Sequence, residues 1–176
     1  KNPDNLDPGG EFPYPPKSND VHHEVELAVM LKSGGRNIPV DKAMDCVFGY
    51  ALSLDMTRRD LQWTAKENGH PWDMAKAFDF SAPIAPIVPM SDVPSVEDAR
   101  IWLAVNGEIK QDSNISQLTW SVREHIATLS QGMTLAPGDI IMTGTPAGVG
   151  AVQTGDVITG GVDGIGELEV TIGAKT

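Results

Sequence analysis

Glycine and proline punctuate this chain so evenly that no long helix can run through it. Eighteen Gly and thirteen Pro are spread over 176 residues. Proline removes a backbone donor and fixes φ, while glycine weakens any regular element that contains it. Short strands joined by turns are the arrangement that such punctuation permits. With 40% hydrophobic residues, the chain is long enough to bury one sizeable core. Residues 1–176 are therefore expected to form a single domain, and no internal repeat or low-complexity tract divides them.

Between the turns, the apolar spacing assigns most segments. Residues 21–31 form a strongly apolar extended segment and residues 47–56 a second strand, and residues 59–68 form a short helix closed by Gly69. After a Pro-studded loop at 82–93, residues 99–105 turn at Asn106-Gly107 into a partner strand at 108–111. Residues 121–130 set Val122, Ile126 and Leu129 on one helical face ahead of Gly132. Turn signals precede Ile140-Ile141-Met142 and Val157-Ile158, and residues 167–172 alternate with period two. The fold class is mixed, β-dominated α+β, with two or three short helices.

Composition excludes several functions. No run of eighteen apolar residues exists, so no membrane-spanning helix is expected. A formal net charge of −11 argues against a nucleic-acid surface, which draws its affinity from clustered Lys and Arg. Cys46 stands alone, so no disulfide framework is possible. It reads as a small buried apolar residue, and the default compartment is the cytoplasm. An acidic protein can still take an anionic substrate, provided that a metal ion or a few arginines supply a local cationic centre.

The chemistry concentrates in the apolar segment Val21-His22-His23-Glu24-Val25-Glu26-Leu27. In one continuous strand His22, Glu24 and Glu26 share a face, opposite Val21, His23 and Val25. Neighbouring carboxylates in apolar surroundings repel unless a cation sits between them. A solvent-facing acidic edge is the commoner reason for a bare Glu-x-Glu, so the pair alone decides nothing. Asp55 ends the next strand where the chain turns into a helix and makes a third carboxylate available. Three carboxylates without a Cys or His motif form an oxygen-only set suited to Mg²⁺ or Mn²⁺.

Arg58, Arg59 and Gln62 follow closely and can clamp a substrate carboxylate, with surface solvation beside Asp60 or Glu67 the plainer reading for one of the arginines. Lys76 sits in apolar text and can stabilise developing negative charge, although a snorkelling lysine is the simpler reading of that segment. Met142-Thr143-Gly144-Thr145-Pro146-Ala147-Gly148-Val149-Gly150 follows a strand but lacks the Lys of a phosphate loop, so nucleotide binding is not expected. His70, in a loop, and His125, in an amphipathic helix, are assigned to structure.

Taken in order, His22-His23-Glu24-Val25-Glu26-Leu27, residues 54–62, Ala75-Lys76 and the 143–150 loop closely resemble the fumarylacetoacetate hydrolase family. The likeness extends over Asn106-Gly107-Glu108 and Gly138-Asp139-Ile140-Ile141 to essentially the whole chain, and lies closest to the fumarylpyruvate and acylpyruvate hydrolase branch. It implies a β-sandwich roll with a barrel-like core, and a homodimer with a site in each subunit. It also implies that Glu24, Glu26 and Asp55 ligate Mg²⁺ or Mn²⁺ while Arg59, Gln62, Lys76 and Thr145 line the substrate pocket, Lys76 and Thr145 with catalytic roles. The family's Asn-Tyr-x-x-His-x-x-Glu segment, which supplies a water-activating His, has no match in residues 1–176. Lys1-Asn2-Pro3 resembles the text that follows it, so this segment is expected upstream.

The activity the resemblance implies is hydrolysis of a carbon–carbon bond in an acylpyruvate, with the metal stabilising the pyruvate enolate, in aromatic catabolism. Oxaloacetate decarboxylation and 2-oxo acid isomerisation pass through the same enolate and stay open. An inactive dimer that keeps its metal for structure is the reading from another class.

Overall fold

The two most apolar segments of the sequence pair with each other, and the rest of the fold is layered around that pair. The computed structural model describes residues 1, 6–7, 9–93 and 95–175. In chain order its strands and α-helices are β1 (Leu6–Asp7), β2 (Gly10–Tyr14), β3 (Val21–His23), β4 (Val25–Leu31), β5 (Val47–Leu54), β6 (Thr57–Arg58), α1 (Arg59–Glu67), α2 (Asp73–Lys76), β7 (Ala82–Pro83), β8 (Val88–Pro89), β9 (Arg100–Val105), β10 (Glu108–Asn114), α3 (Val122–Gly132), β11 (Ile140–Met142), β12 (Gly150–Val152), β13 (Val157–Val162) and β14 (Gly166–Lys175). The expected class is observed: strand dominates, and the helices are short. No helix among the described residues is long and apolar enough to cross a membrane.

β4 and β5 run antiparallel, with Val25 opposite Leu54 and Glu26 opposite Ser53. β3 and β6 continue the same two segments, with Val21 opposite Arg58 and His22 opposite Thr57. The upper half belongs to a four-stranded sheet ordered β11-β4-β5-β8, the lower half to a three-stranded sheet ordered β12-β3-β6. Both segments break at the same level, where the Asp55 N–H donates to the Glu24 carbonyl at 2.8 Å. This corrects the expectation of unbroken strands over 21–31 and 47–56: the ribbon turns a corner at Glu24 and Asp55. The corner lets one ribbon serve two sheets, and Val21, His23, Val25, Leu27 and Val29 are all buried along it.

A five-stranded sheet, ordered β10-β9-β13-β14-β2, packs its face on β4 and β5. It is antiparallel except for the β14–β2 pair. The main core lies between the sheets and joins Leu27, Val29 and Leu52 to Leu103, Ile158 and Ile172. The Asn106-Gly107 turn behaves as expected: both residues take positive φ, 53° and 80°, as a tight hairpin between β9 and β10 requires. β10 runs on past the expected 108–111 to Asn114, and its register skips Lys110, pairing Ile109 with Ala104 and Gln111 with Leu103. That bulge turns Gln111 inward while Ile109 stays outside.

The loop at 82–93 contains two short strands and a 3-10 turn at Met90–Asp92. α3 packs on the 3-10 helix Val40–Cys46, burying Val122, Ile126 and Ala127, and Cys46 is buried and free, as expected. The helix starts at Ser121, whose N–H donates to Glu124 at 2.7 Å.

Truncating Ile126, which is 0% exposed, to Ala should cost about 2–5 kcal/mol. It should lower the urea midpoint with the m-value unchanged. Trp63→Ala, on the exposed face of α1, should change stability by less than about 0.5 kcal/mol in the same titration.

Candidate metal centre

The corner of the ribbon determines where the carboxylates meet. Residues opposite one another in an antiparallel pair share a face, and so do residues two apart on one strand. Glu24 and Glu26 therefore point the same way, and Asp55, across from Glu24, points with them. One oxygen from each lies within 4.8 Å of the others. Glu24 and Glu26 are buried and Asp55 is half-buried. His22, expected on the same face, instead sets its Nε2 3.0 Å from Asp20 Oδ1.

Three such carboxylates repel one another, and the structure surrounds them with three cations. Lys76, at the end of α2, donates to Glu24 Oε2 at 2.8 Å, Asp55 Oδ2 at 2.6 Å and Thr57 Oγ1 at 2.7 Å, which uses all three of its hydrogens. The snorkelling reading of Lys76 is thereby overturned: α2 aims the ammonium inward. Arg59, the first residue of α1, donates to Glu24 Oε1 with one guanidinium nitrogen and to Gln62 Oε1 with another. Lys1 Nζ lies 2.8 Å from Asp55 Oδ1, and its side chain is 8% exposed. Burial pushes the Lys1 ammonium below its ordinary range, with Asp55 opposing the shift. Sequence reasoning assigned Lys1 no role, and no local signal could have done so, because its partner lies far along the chain.

Arg58 is no part of this ring. It is buried, with its guanidinium 4.3 Å from the centre of the Phe78 ring and bonded to the Met74 carbonyl. Surface solvation therefore fails for both arginines. Asp60 spends its carboxylate on Ser18 and Asn19 instead.

Burial first, then the neighbouring Asp55 charge, raises Glu26 from the usual carboxylate range to about 7, while the Gly144 N–H, 2.9 Å from Oε2, opposes the shift. That amide belongs to the loop after β11, where the Thr143 hydroxyl also donates to the Leu27 carbonyl at 3.0 Å. Gly148, at φ +99°, carries the loop so close to β10 that a Cβ would lie 1.9 Å from the Lys110 carbonyl oxygen. Thr145, half-buried, accepts from Gln111 Nε2 at 2.7 Å and does not touch the carboxylates. Thr143, Gly144 and Thr145 also line a cavity of about 480 Å³ that reaches Trp120 and His125. His70 is an exposed loop residue, and His125 bonds the Ser121 carbonyl through Nδ1 at 3.1 Å.

The donor set is all oxygen, concentrated and buried, which fits a hard divalent cation such as Mg²⁺ or Mn²⁺. A strand-rich fold that converges three carboxylates, two ammonium groups and a guanidinium at one sheet corner is that of a metal-assisted enzyme for anionic substrates. The family model for the fumarylacetoacetate (FAA) hydrolase C-terminal region matches residues 1–173, and the chain belongs to this family. It is 47% identical over 174 residues to a fumarylpyruvate hydrolase of Ralstonia sp, covering 98% of this chain and 90% of that one. It is 46% identical to a mitochondrial oxaloacetate tautomerase of Rattus norvegicus, covering 89% and 71% respectively. The crystal structure of fumarylpyruvate hydrolase from Pseudomonas aeruginosa in complex with Mn²⁺ and pyruvate matches with a TM-score of 0.98 at 46% identity, covering 99% of this chain and 77% of that one.

A cation can bind only when Glu26 is ionised, so protons compete with it below the raised value of about 7. Mn²⁺ affinity, measured by isothermal titration calorimetry in several buffers, should fall by about tenfold per pH unit as pH drops below that value. Protons should be released on binding, and the loss should level off above it.

Proposed function

We propose that this protein hydrolyses the carbon–carbon bond of an acylpyruvate of the fumarylpyruvate type, releasing pyruvate and the second carboxylic acid. The observation that carries the proposal is the largely buried Glu24–Glu26–Asp55 cluster with Lys76 and Arg59 bonded to it, in a chain so similar to an enzyme that holds Mn²⁺ and pyruvate. Glu24, Glu26 and Asp55 would hold Mg²⁺ or Mn²⁺, which when bound supplies Lewis-acid stabilisation of the charge that develops as the bond breaks.

The chain's own residues then divide the remaining work. Arg59 is held by Gln62, and the pair offers the guanidinium and a free amide NH₂ to the distal carboxylate of the substrate. Lys76, bonded to Glu24, Asp55 and Thr57, supplies fixed positive charge at the floor of the site, and Thr145 donates from the loop toward the oxygens on which negative charge grows. Burial of the cluster keeps water from screening these interactions.

A second reading has one observation in its favour, the similarity to the rat oxaloacetate tautomerase. Tautomerisation or decarboxylation of oxaloacetate develops charge at the same 2-oxo oxygen, so the same donors serve it. For either substrate we place the enzyme in the cytoplasm as a homodimer, and acylpyruvate hydrolysis in aromatic catabolism. The exposed Trp72, Met74 and Phe80 offer an apolar surface that a second copy can cover.

Fumarylpyruvate cleavage should require Mg²⁺ or Mn²⁺, stop with EDTA, and fall by more than about 10²-fold in Glu26→Ala and Lys76→Met, followed by loss of substrate absorbance. Activity on oxaloacetate alone would move the assignment to the second reading. Inactivity on both would reject enzymatic turnover.

A further inference from the structure

Gln111 is the one polar side chain on β10 that is fully buried, 0% exposed, and every hydrogen-bonding position of its amide is used. Its Oε1 accepts from the Val25 N–H at 3.1 Å and from His23 Nδ1 at 3.0 Å. Its Nε2 donates to the Pro146 carbonyl at 2.9 Å and to Thr145 Oγ1 at 2.7 Å. Two of these partners have a polarity that cannot be reversed. A backbone N–H only donates and a backbone carbonyl only accepts, so Val25 and Pro146 determine which end of the amide is oxygen.

The polarity of the other two partners follows. His23 must carry its hydrogen on Nδ1. Thr145 receives a hydrogen from Gln111, so its own hydroxyl hydrogen is directed elsewhere, and it finds no acceptor among the described residues. The neighbouring Gly144 N–H is bonded to Glu26, and Val25 lies between Glu24 and Glu26. One side chain thus ties the strand carrying two of the carboxylates to the loop carrying Thr145, at the corner where that strand leaves one sheet for another.

We propose that Gln111 is a positioning residue that makes Thr145 an obligatory hydrogen-bond donor to an oxygen of the 2-oxo acid. The proposal rests on the acylpyruvate or oxaloacetate reading above. Gln111→Glu puts a carboxylate oxygen where the NH₂ group stood. That oxygen can accept the Thr145 hydrogen and turn it inward, whereas the original amide cannot.

Three measurements test the proposal. In metal-free wild-type protein, ¹⁵N-resolved NMR of the four histidines should show His23 with its hydrogen on Nδ1, and a neutral Nε2–H tautomer would overturn the polarity whether or not the protein is an enzyme. Calorimetric binding of pyruvate to the Mn²⁺-loaded protein should weaken by about tenfold or more in both Gln111→Glu and Thr145→Val, with Mn²⁺ affinity unchanged. Unweakened pyruvate binding in Thr145→Val would overturn the donor role even if the Gln111 variant does not fold.

In steady-state turnover of whichever substrate the wild type accepts, Gln111→Glu and Thr145→Val should each lower kcat on the order of 10²-fold, and the double variant no further. Thr145→Ser should recover most of the rate. Additive losses in the double variant would assign Gln111 a purely structural role and reject the proposal. Absence of turnover by the wild type would reject the catalytic reading while leaving the NMR and pyruvate results to decide the polarity.

Discussion

Mutual repulsion among three clustered carboxylates, two buried and one half-buried, is the constraint around which this structure is organised. Glu24, Glu26 and Asp55 are forced together because two apolar segments pair in antiparallel register and bend at the same level, so that cross-strand neighbours and strand alternation aim three acids at one point. Such a cluster is unfavourable unless positive charge is brought to it. α1 delivers Arg59 and α2 delivers Lys76, while Lys1 closes the third side. α1 and α2 are short, and what they bring to the carboxylates is these charged side chains, with Gln62 holding Arg59.

The sheets set the reach of everything else. Because β4 is flanked by β5 on one side and β11 on the other, the loop after β11 emerges beside Glu26 and can lend it the Gly144 amide. Because β10 carries a bulge at Lys110, a glutamine that simple alternation would place beside the exposed Ile109 instead enters the core. Gly148 makes room for the loop against that bulge. The hydroxyl of Thr145 and the tautomer of His23 then depend on a single buried amide, which also accepts from the Val25 N–H beside the bend.

Much of this was legible in the residues. Alternation in the 21–31 segment placed Glu24 and Glu26 on one face, Asn106-Gly107 specified the hairpin, and the apolar positions of 121–130 marked the buried face of α3. Other readings failed for identifiable reasons. Arg58 and Arg59 are adjacent and chemically equal, yet one stacks on Phe78 and the other reaches Glu24, because helix α1 starts between them. Lys76 in apolar text reads as a snorkelling side chain until α2 is seen to face the carboxylates. Lys1 and Gln111 carry no local mark of their partners, which lie 54 and 88 residues away.

What the sequence determined by itself was the class of fold, through the even spacing of glycine and proline, and the chemical type of the site, through carboxylates set in apolar strands where only a cation or a compensating charge makes them tolerable. Tertiary structure decided which cations compensate them, where the two strands bend, and which way the hydroxyl of Thr145 points. Those outcomes depend on contacts between residues distant in the chain and on one extra residue in a strand. Periodicity along the chain carries information about faces, and none about which distant face is met.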